Sequence, residues 1–294
     1  YVLDSNVNSS SKSLDKVKKL SKNKRLHFYK GDVRDKEVLN QIFNDSQKNG
    51  DSIVGVIHLA GLKSVSDSVS NPIKYWDANV LSSINLLKAM QKYQCRNIVF
   101  SSSATIYGPN TISPINESAS IQPINPYGKT KLAVENMLDD FYFSRNSETS
   151  VACLRYFNPI GAHCSGFLGE EPNGLPTNIF PLINKVAFGE LNQIKIFGKD
   201  WETFDGTGVR DFIHIMDLAE GHVRTLDYLI ENKKKNIKLN FGTGKGTSVL
   251  ELINTFEKVN NVDIPFVFDK RRPGDRAIVY SDNSLAKKLL KLRR

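Results

Sequence analysis

Short β-rich runs alternate with longer stretches of helical periodicity from the first residue onward, and this alternation restricts the fold more than any other feature of the sequence. Strands are predicted near 1–3, 26–30, 53–60, 96–101 and 151–156, and helices over 35–48, 72–93 and 126–145. Asp35 is placed to cap the first of these helices, and Pro126 suits the first turn of the third. Stacked βαβ units of this kind predict an α/β fold, a Rossmann-like doubly wound parallel sheet. Beyond residue 157 the texture changes: Gly, Pro and Asn become frequent through 158–178 and the elements shorten. The reading is a first domain over 1–157 and a smaller α/β domain over 158–294. A strand-like 237–241 and a helical 247–260 point back to the first sheet, so part of 215–260 is expected to rejoin it. Residues 9–13, rich in serine, are expected to form a loop.

Composition narrows the classes of function. With 294 residues, 40% hydrophobic and 24% charged, the chain can build and cover a sizeable core, as a soluble globular protein does. No apolar run approaches the ~20 residues of a membrane span; the best, 53–60, contains His58. No anchor or cleavable leader is expected. The net charge of +9 lies largely in basic clusters at 16–25, 233–235 and 287–294, without interleaved aromatics or a helix-turn-helix pattern, so no nucleic-acid partner is expected. Lys63, Arg210, Arg271 and Arg272 lie instead in motif-like settings and suit an anionic ligand. Cys95, Cys153 and Cys164 form no CxxC and cannot all pair, which fits a reducing, cytoplasmic compartment. His214 and His222 are eight apart, not at the spacing of a helical zinc pair, and no metal site is expected.

Two observations carry chemistry. Asp4 closes the first strand, and an acidic residue at a strand tip in a dinucleotide-binding fold accepts hydrogen bonds from the adenine ribose, ~20 residues after a glycine-rich turn. Nothing precedes it here, so the expectation is that the first strand, the phosphate-cradling turn and the first helix of such a fold are absent from this sequence. The second is Tyr127-Gly128-Lys129-Thr130-Lys131 after Pro126, reached from Ser101-Ser102-Ser103 at a strand end. On a helix, residues 127 and 131 share a face. A phenol of pKa about 10 is a weak base at neutral pH unless a positive charge favours the phenolate, and Lys131 is expected to supply one.

The motifs Gly31-Asp32-Val33, His58-Leu59-Ala60-Gly61-Leu62-Lys63, Ser101-Ser102-Ser103-Ala104-Thr105-Ile106-Tyr107-Gly108 and Tyr127-xxx-Lys131 follow Asp4 in order. With Arg155-Tyr156-Phe157-Asn158-Pro159-Ile160-Gly161-Ala162-His163 and Asp205-Gly206-Thr207-Gly208-Val209-Arg210-Asp211-Phe212-Ile213-His214, they resemble the UDP-glucose 4-epimerases, NAD-dependent members of the extended short-chain dehydrogenases. The likeness runs from residue 1 to about 285, with the family's extreme C-terminus also expected to be missing.

That resemblance implies an isomerase that interconverts UDP-galactose and UDP-glucose through a 4-keto sugar with tightly bound NAD, working as a homodimer through the 72–93 and 126–145 helices. It implies Tyr127 as base, with Ser103 and Lys131 completing the catalytic set and Thr105 assisting at the C4 oxygen. It implies cofactor contacts from Asp4, Ser5, Asn8, Ser9, Asp32, Val33, Leu59, Ala60, Gly61, Lys63, Asn79, Ser101, Tyr156 and Phe157, besides Tyr127 and Lys131. For the UDP-hexose it implies Lys63, Asn158, Asn178, Ile179, Phe197, Arg210, Phe212, Arg272 and Asp275, besides Ser103, Thr105 and Tyr127. The sequence departs from the family pattern at Ala78, where some relatives carry asparagine, and at Val279, where some carry a bulky aromatic that limits the sugar's 2-substituent. A UDP-N-acetylglucosamine 4-epimerase is therefore an alternative. A 4,6-dehydratase would need an Asp-Glu pair where Ala104 and Thr105 stand, and a non-catalytic scaffold would not need Ser103, Tyr127 and Lys131 together.

Overall fold

The structure is a computed structural model, and it describes residues 1–21, 25–145, 148–170, 176, 178–272 and 274–292. Residues 22–24 and 293–294 of the first and last basic clusters, 171–175 and 177 of the Gly/Pro/Asn-rich stretch, and Pro273 lie outside the described residues.

Five parallel strands appear where the β-rich runs are: β1 (Val2–Asp4), β2 (Phe28–Lys30), β3 (Gly55–His58), β4 (Asn97–Ser103) and β5 (Ser150–Tyr156). They fall into two sheets. One is the pair β1–β2; the other runs β10–β5–β4–β3, where β10 (Asn236–Phe241) returns from the second half of the chain to lie beside β5. The strand-like 237–241 lies within β10. The helix after it, α9 (Val249–Asn260), packs elsewhere, against the second lobe.

The strands β4 and β5 are buried on both faces, which is why they read as continuous apolar runs. Alternate residues serve opposite layers. Ile98, Phe100, Val151 and Cys153 meet α2 (Lys36–Lys48), α5 (Ser82–Lys92) and α6 (Pro126–Phe143) through Leu39, Phe43, Leu86, Met90, Val134 and Leu138. Val99, Ala152, Leu154 and Leu239 face α8 (Ile215–Glu231) and α10 (Ser284–Leu290) through Leu218, Leu229, Ala286 and Leu290. Helices on both faces of a parallel sheet are the doubly wound arrangement.

Caps set the helix starts. Asp35 accepts from the Glu37 and Val38 amides at α2, and Asn125 accepts from the Gly128 amide at 2.8 Å with Pro126 in the first turn of α6. The predicted helix over 72–93 is observed as α4 (Pro72–Trp76), a π-helical stretch (Asp77–Leu81) and α5 in succession. The serine-rich patch is a loop only to Ser11: α1 (Lys12–Leu20) begins at Lys12. Periodicity did not show α3 (Val65–Ser70), which is too short to display a repeat.

The second lobe has a core of its own. Ile183 and Val186 of α7 (Ile179–Ala187), Ile194 and Ile196 of β7 (Ile194–Phe197), Leu252 and Ile253 of α9, and Ile264 before β12 (Phe266–Asp269) cluster together. Strand β6 (Asn158–Ile160) pairs with β9 (Phe212–His214), and β8 (Val209–Arg210) lies between β11 (Thr247–Ser248) and β13 (Ile278–Val279). Asp211, wholly buried between β8 and β9, stitches this lobe to the end of β10. Its Oδ1 accepts from the Thr243 amide and hydroxyl, both at 2.7 Å, and its Oδ2 from Gly244 N (3.2 Å), Ser281 N (3.0 Å) and Ser281 Oγ (2.6 Å). Five donors on one carboxylate satisfy a charge that burial would otherwise make costly.

Candidate active site

Ligands in open parallel sheets gather beyond the carboxyl ends of the strands, and the predicted site residues are distributed there. Asp4 ends β1, Asp32 and Val33 follow β2, residues 59–63 follow β3, Ser101 and Ser103 end β4, and Tyr156 and Phe157 end β5. The register sets Ser103 directly opposite Tyr156.

The chain turns sharply after β4. Ala104–Ile106 form one turn of 3-10 helix capped by Ser103. Helix α6 presses its first turn onto it: a Cβ at Gly128 would stand 2.7 Å from the Thr105 carbonyl oxygen, so only glycine permits the approach. That contact brings Tyr127 to Ser103. Ser103 Oγ accepts from Thr105 N (3.2 Å) and Thr105 Oγ1 (3.0 Å), which leaves its own O–H free to turn towards Tyr127 and the space beside it.

Lys131 lies one turn along the same face, buried, with its ammonium 5.8 Å from the Tyr127 ring centroid and 4.9 Å from that of Phe100. Its one hydrogen-bond acceptor among the described residues is the Ser101 carbonyl at 2.7 Å. Burial lowers Lys131 to about 8, against the opposing pull of Glu135. The expectation that Lys131 draws the phenol's pKa down does not hold. Burial raises Tyr127 above its ordinary 10.0, and it is the Ser103 hydrogen bond that partly offsets this. A buried phenolate loses more by desolvation than the Ser103 side chain returns, and Lys131, with its ammonium 5.8 Å from the ring centroid, does not make up the difference.

The 59–63 turn closes one side. Asn79, buried in the π-helical stretch, accepts from Leu62 N (2.7 Å) and donates to Leu62 O (3.1 Å) and Thr130 Oγ1 (3.0 Å), tying the turn to α6. Gly61 has φ +150, and a Cβ there would meet Asn79 Oδ1 at 3.0 Å and the Lys131 ammonium at 3.8 Å. His58 beneath it is neutral: burial and then the Lys131 charge hold it near 3, and its Nε2 is 2.9 Å from Ser83 Oγ. Below Tyr127 lies Tyr156, hydrogen-bonded to Ser101 and in close contact with His222 Nε2 on α8. Phe157 packs into the core around the 3-10 turn with Ala104 and Ile106.

Asp4 Oδ1 accepts from Asn6 N (2.7 Å) and Ser9 Oγ (3.0 Å), shaping the loop that carries Ser5 and Asn8. Asp32 is bound by Arg34, which lowers its pKa and also pairs with Asp77.

From the second lobe, guanidinium groups converge. Arg210 donates to Val209 O (2.8 Å) and lies 3.9 Å from Asp275; Arg272 donates to Asp275 at 3.1 Å and stacks on Phe197 at 4.7 Å. Burial lowers the Arg210 pKa, Asp275 opposes this, and Arg272 adds to it. Sequence reasoning missed Arg276. It donates to Gly108 O (3.0 Å) and Thr111 Oγ1 (2.5 Å) and is near enough to Arg210 for the two charges to repel. Position 276 in a basic string gave no sign that it faces inward. Lys63 and Asn178 meet on Glu170 Oε1, at 3.4 and 3.1 Å, while Asn158, Ile179 and Phe212 sit on β6, α7 and β9. Three cationic heads against one carboxylate match a doubly charged anion. The acidic strand tip, the glycine turn and an ammonium with N–H bonds to spare fit a dinucleotide. No cluster of metal-ligating side chains exists among the described residues.

A model of the NAD dependent epimerase/dehydratase family matches residues 2–242. The chain is 47% identical over 289 residues to the UDP-glucose 4-epimerase of Bacillus subtilis (strain 168), covering 98% of this chain and 83% of that one. The crystal structure of the UDP-glucose-4-epimerase from Stenotrophomonas maltophila with bound NAD and formylated UDP-arabinopyranose superposes with a TM-score of 0.92 at 42% identity, over 99% of this chain and 84% of that one. That of the Bifidobacterium longum UDP-glucose 4-epimerase in complex with NAD+ and UDP gives 0.91 at 43% identity, over 99% and 84%. Fold, strand-end geometry and likeness agree, and the chain belongs to the NAD dependent epimerase/dehydratase family.

Proposed function

We propose that this protein interconverts UDP-galactose and UDP-glucose by inverting C4 of the hexose, with NAD as its bound cofactor. The observation that carries the reading is the meeting of Tyr127, Ser103 and Lys131 at the carboxyl end of the parallel sheet, opposite a cluster of guanidinium groups. A C4–H bond is not acidic, so inversion proceeds through a 4-ketone. When bound, NAD supplies the hydride acceptor and later the hydride donor, and its oxidised ring adds the positive charge that a buried phenol needs to ionise.

The chain's own residues do the rest. Tyr127 Oη takes the proton of the 4-hydroxyl and returns it after the ketone has turned over. Ser103 holds the C4 oxygen, with Thr105 fixing the direction of its hydrogen bond. Lys131 holds the nicotinamide ribose, Asp4 with Ser5, Asn8 and Ser9 the adenine ribose, and Asp32 with Val33 the adenine. Leu59, Ala60, Gly61 and Lys63 form the wall beside the pyrophosphate, Asn79 keeps that wall in place, and Ser101, Tyr156 and Phe157 form the floor. Arg210 and Arg272, steered by Asp275, take the diphosphate of the substrate, while Asn158, Asn178, Ile179, Phe197 and Phe212 surround the uridine.

The division into a cofactor lobe (1–157 with β10 and α8) and a UDP-sugar lobe belongs to the same proposal. So does a homodimer formed through α5 and α6, supported by the surface groove that Ile84, Leu87, Met137 and Phe141 line between those helices. A reducing, cytoplasmic setting agrees with the three free thiols. No helix among the described residues is long and apolar enough to cross a membrane.

A second reading, a 4-epimerase that also takes N-acetylated sugars, is favoured by Val279, a small side chain packed against the core around Ala104 and Tyr107. Turnover of UDP-galactose beside UDP-N-acetylgalactosamine separates the two. The base is tested by Tyr127→Phe: kcat is expected to fall by about 10²–10⁴-fold with UDP-sugar affinity nearly unchanged in calorimetry. Turnover at the parent rate would remove Tyr127 from the mechanism.

A further inference from the structure

One helical turn beyond Lys131 on α6 lies Glu135, 1% exposed, and facing it from β5 is Arg155, equally buried. Arg155 Nη2 donates to Glu135 Oε2 at 2.8 Å and Arg155 Nε to Oε1 at 3.1 Å, a two-point fork, and the Ser102 hydroxyl of β4 donates to the same carboxylate. Arg155 Nη1 continues to Tyr107 Oη (3.0 Å) and the Glu117 carbonyl (3.1 Å). Tyr107 in turn donates to Asn240 Oδ1 at 2.6 Å, and Asn240 donates through Nδ2 to the Ile115 carbonyl (2.7 Å) and through its amide to Glu117 Oε1 (2.8 Å). Helix α6, strands β4, β5 and β10, and the segment that follows the 3-10 turn are thus joined by one buried polar network.

A buried ion pair gives little stability that apolar side chains of the same volume would not give. Its place next to Lys131 suggests another use. The titratable groups facing Lys131 are His58 from β3, held neutral, Tyr127 and Glu135 from its own helix, and Tyr156 from β5, which shares Ser101 with it. Glu135 is the carboxylate of that set.

We propose that Glu135, fixed by Arg155, is a positioning residue: it keeps the buried Lys131 amine protonated and locks α6 against β4 and β5, so that Tyr127 and Lys131 meet the substrate and cofactor in a fixed pose. This rests on the catalytic roles proposed for Tyr127 and Lys131. Burial drives Lys131 towards its neutral form, and Glu135 is the group that opposes it.

Glu135→Gln removes the charge and keeps the shape. In the NAD-loaded protein it is expected to lower kcat about fivefold near pH 8 and about tenfold at higher pH, as a fall of one pKa unit in Lys131 dictates, with KM for UDP-galactose changed less than about twofold. The alkaline limb of the kcat profile should move to lower pH by about one unit, because an amine that loses a neighbouring carboxylate gives up its proton sooner. The Lys131 side-chain nitrogen resonance, assigned by its loss in Lys131→Arg, should titrate lower by the same amount, and Glu135→Asp should hold both near the parent value. A Glu135→Gln protein that melts earlier but keeps the parent titration of Lys131 and the parent pH profile overturns the proposal and leaves a purely structural pair. If Glu135→Gln alone does not fold, the titration is read in Glu135→Gln with Arg155→Gln, where loss of the nearer charge should still lower Lys131, by less than in the single variant, and an unmoved Lys131 overturns the proposal. A parent protein whose Lys131 responds as described but which does not interconvert the two UDP-sugars would sink the functional reading while leaving this positioning intact.

Discussion

Buried titratable groups give this protein a defined response to acid. His58 has a folded pKa near 3 against 6.5 in an exposed chain. Between those values the unfolded chain binds a proton that the folded one refuses, so stability is complete above about pH 6.5 and is lost as the pH falls towards 3. His222, also lowered by burial, acts in the same direction. His58→Gln, which can still bond Ser83, should flatten the fall in melting temperature over that range; an unchanged slope would show that other groups carry it. At this scale the sequence was partly legible. Tyr127 and Lys131 are read from a four-residue spacing on a helix, and Ser103 from its place at a strand end. Nothing in spacing says how dry a group will be, which is why the raised Tyr127 and the lowered Lys131 emerge only from the packed structure. Arg155 and Glu135 were hidden for a related reason: sequence does not tell which carboxylate twenty residues away a guanidinium will meet.

Elements were legible where they are long and capped. Asp35 and Asn125 mark the starts of α2 and α6, and the apolar runs of β3, β4 and β5 announce strands that are covered on both sides. Short or irregular elements gave no period, so α3, the π-helical stretch around Asn79 and the two-residue strands of the second lobe had to be seen. The π-helical stretch matters because it turns Asn79 inward, onto the 59–63 turn. Helices α5 and α6 carry the prediction proper to this scale. In the proposed homodimer the groove between them meets a second copy of the chain, and Ile84→Glu in that groove should give a species of half the parent mass in sedimentation velocity. A parent that already sediments as a monomer, or a variant of undiminished mass, would contradict the assembly.

In the whole molecule, buried polar clusters and apolar contacts such as Ile213 on the main sheet and Val279 beside Phe157 join the two proposed lobes. Asp211 binds the end of β10 to the second half of the chain, and the Arg155 network binds β10 to α6, so both are referred to one strand. The sequence pointed to that return of the chain through its strand-like 237–241, but it could not show that α9 would stay with the second lobe, since amphipathic helices carry no address. In the proposed mechanism a sugar's C4 lies between the buried phenol of Tyr127 and a hydride carrier. UDP-galactose carrying deuterium at C4, turned over by the NAD-loaded protein in ordinary water, should yield UDP-glucose that keeps its deuterium at C4, because the hydrogen leaves and returns within the closed site. Loss of the label to solvent, or no UDP-glucose at all, would contradict it.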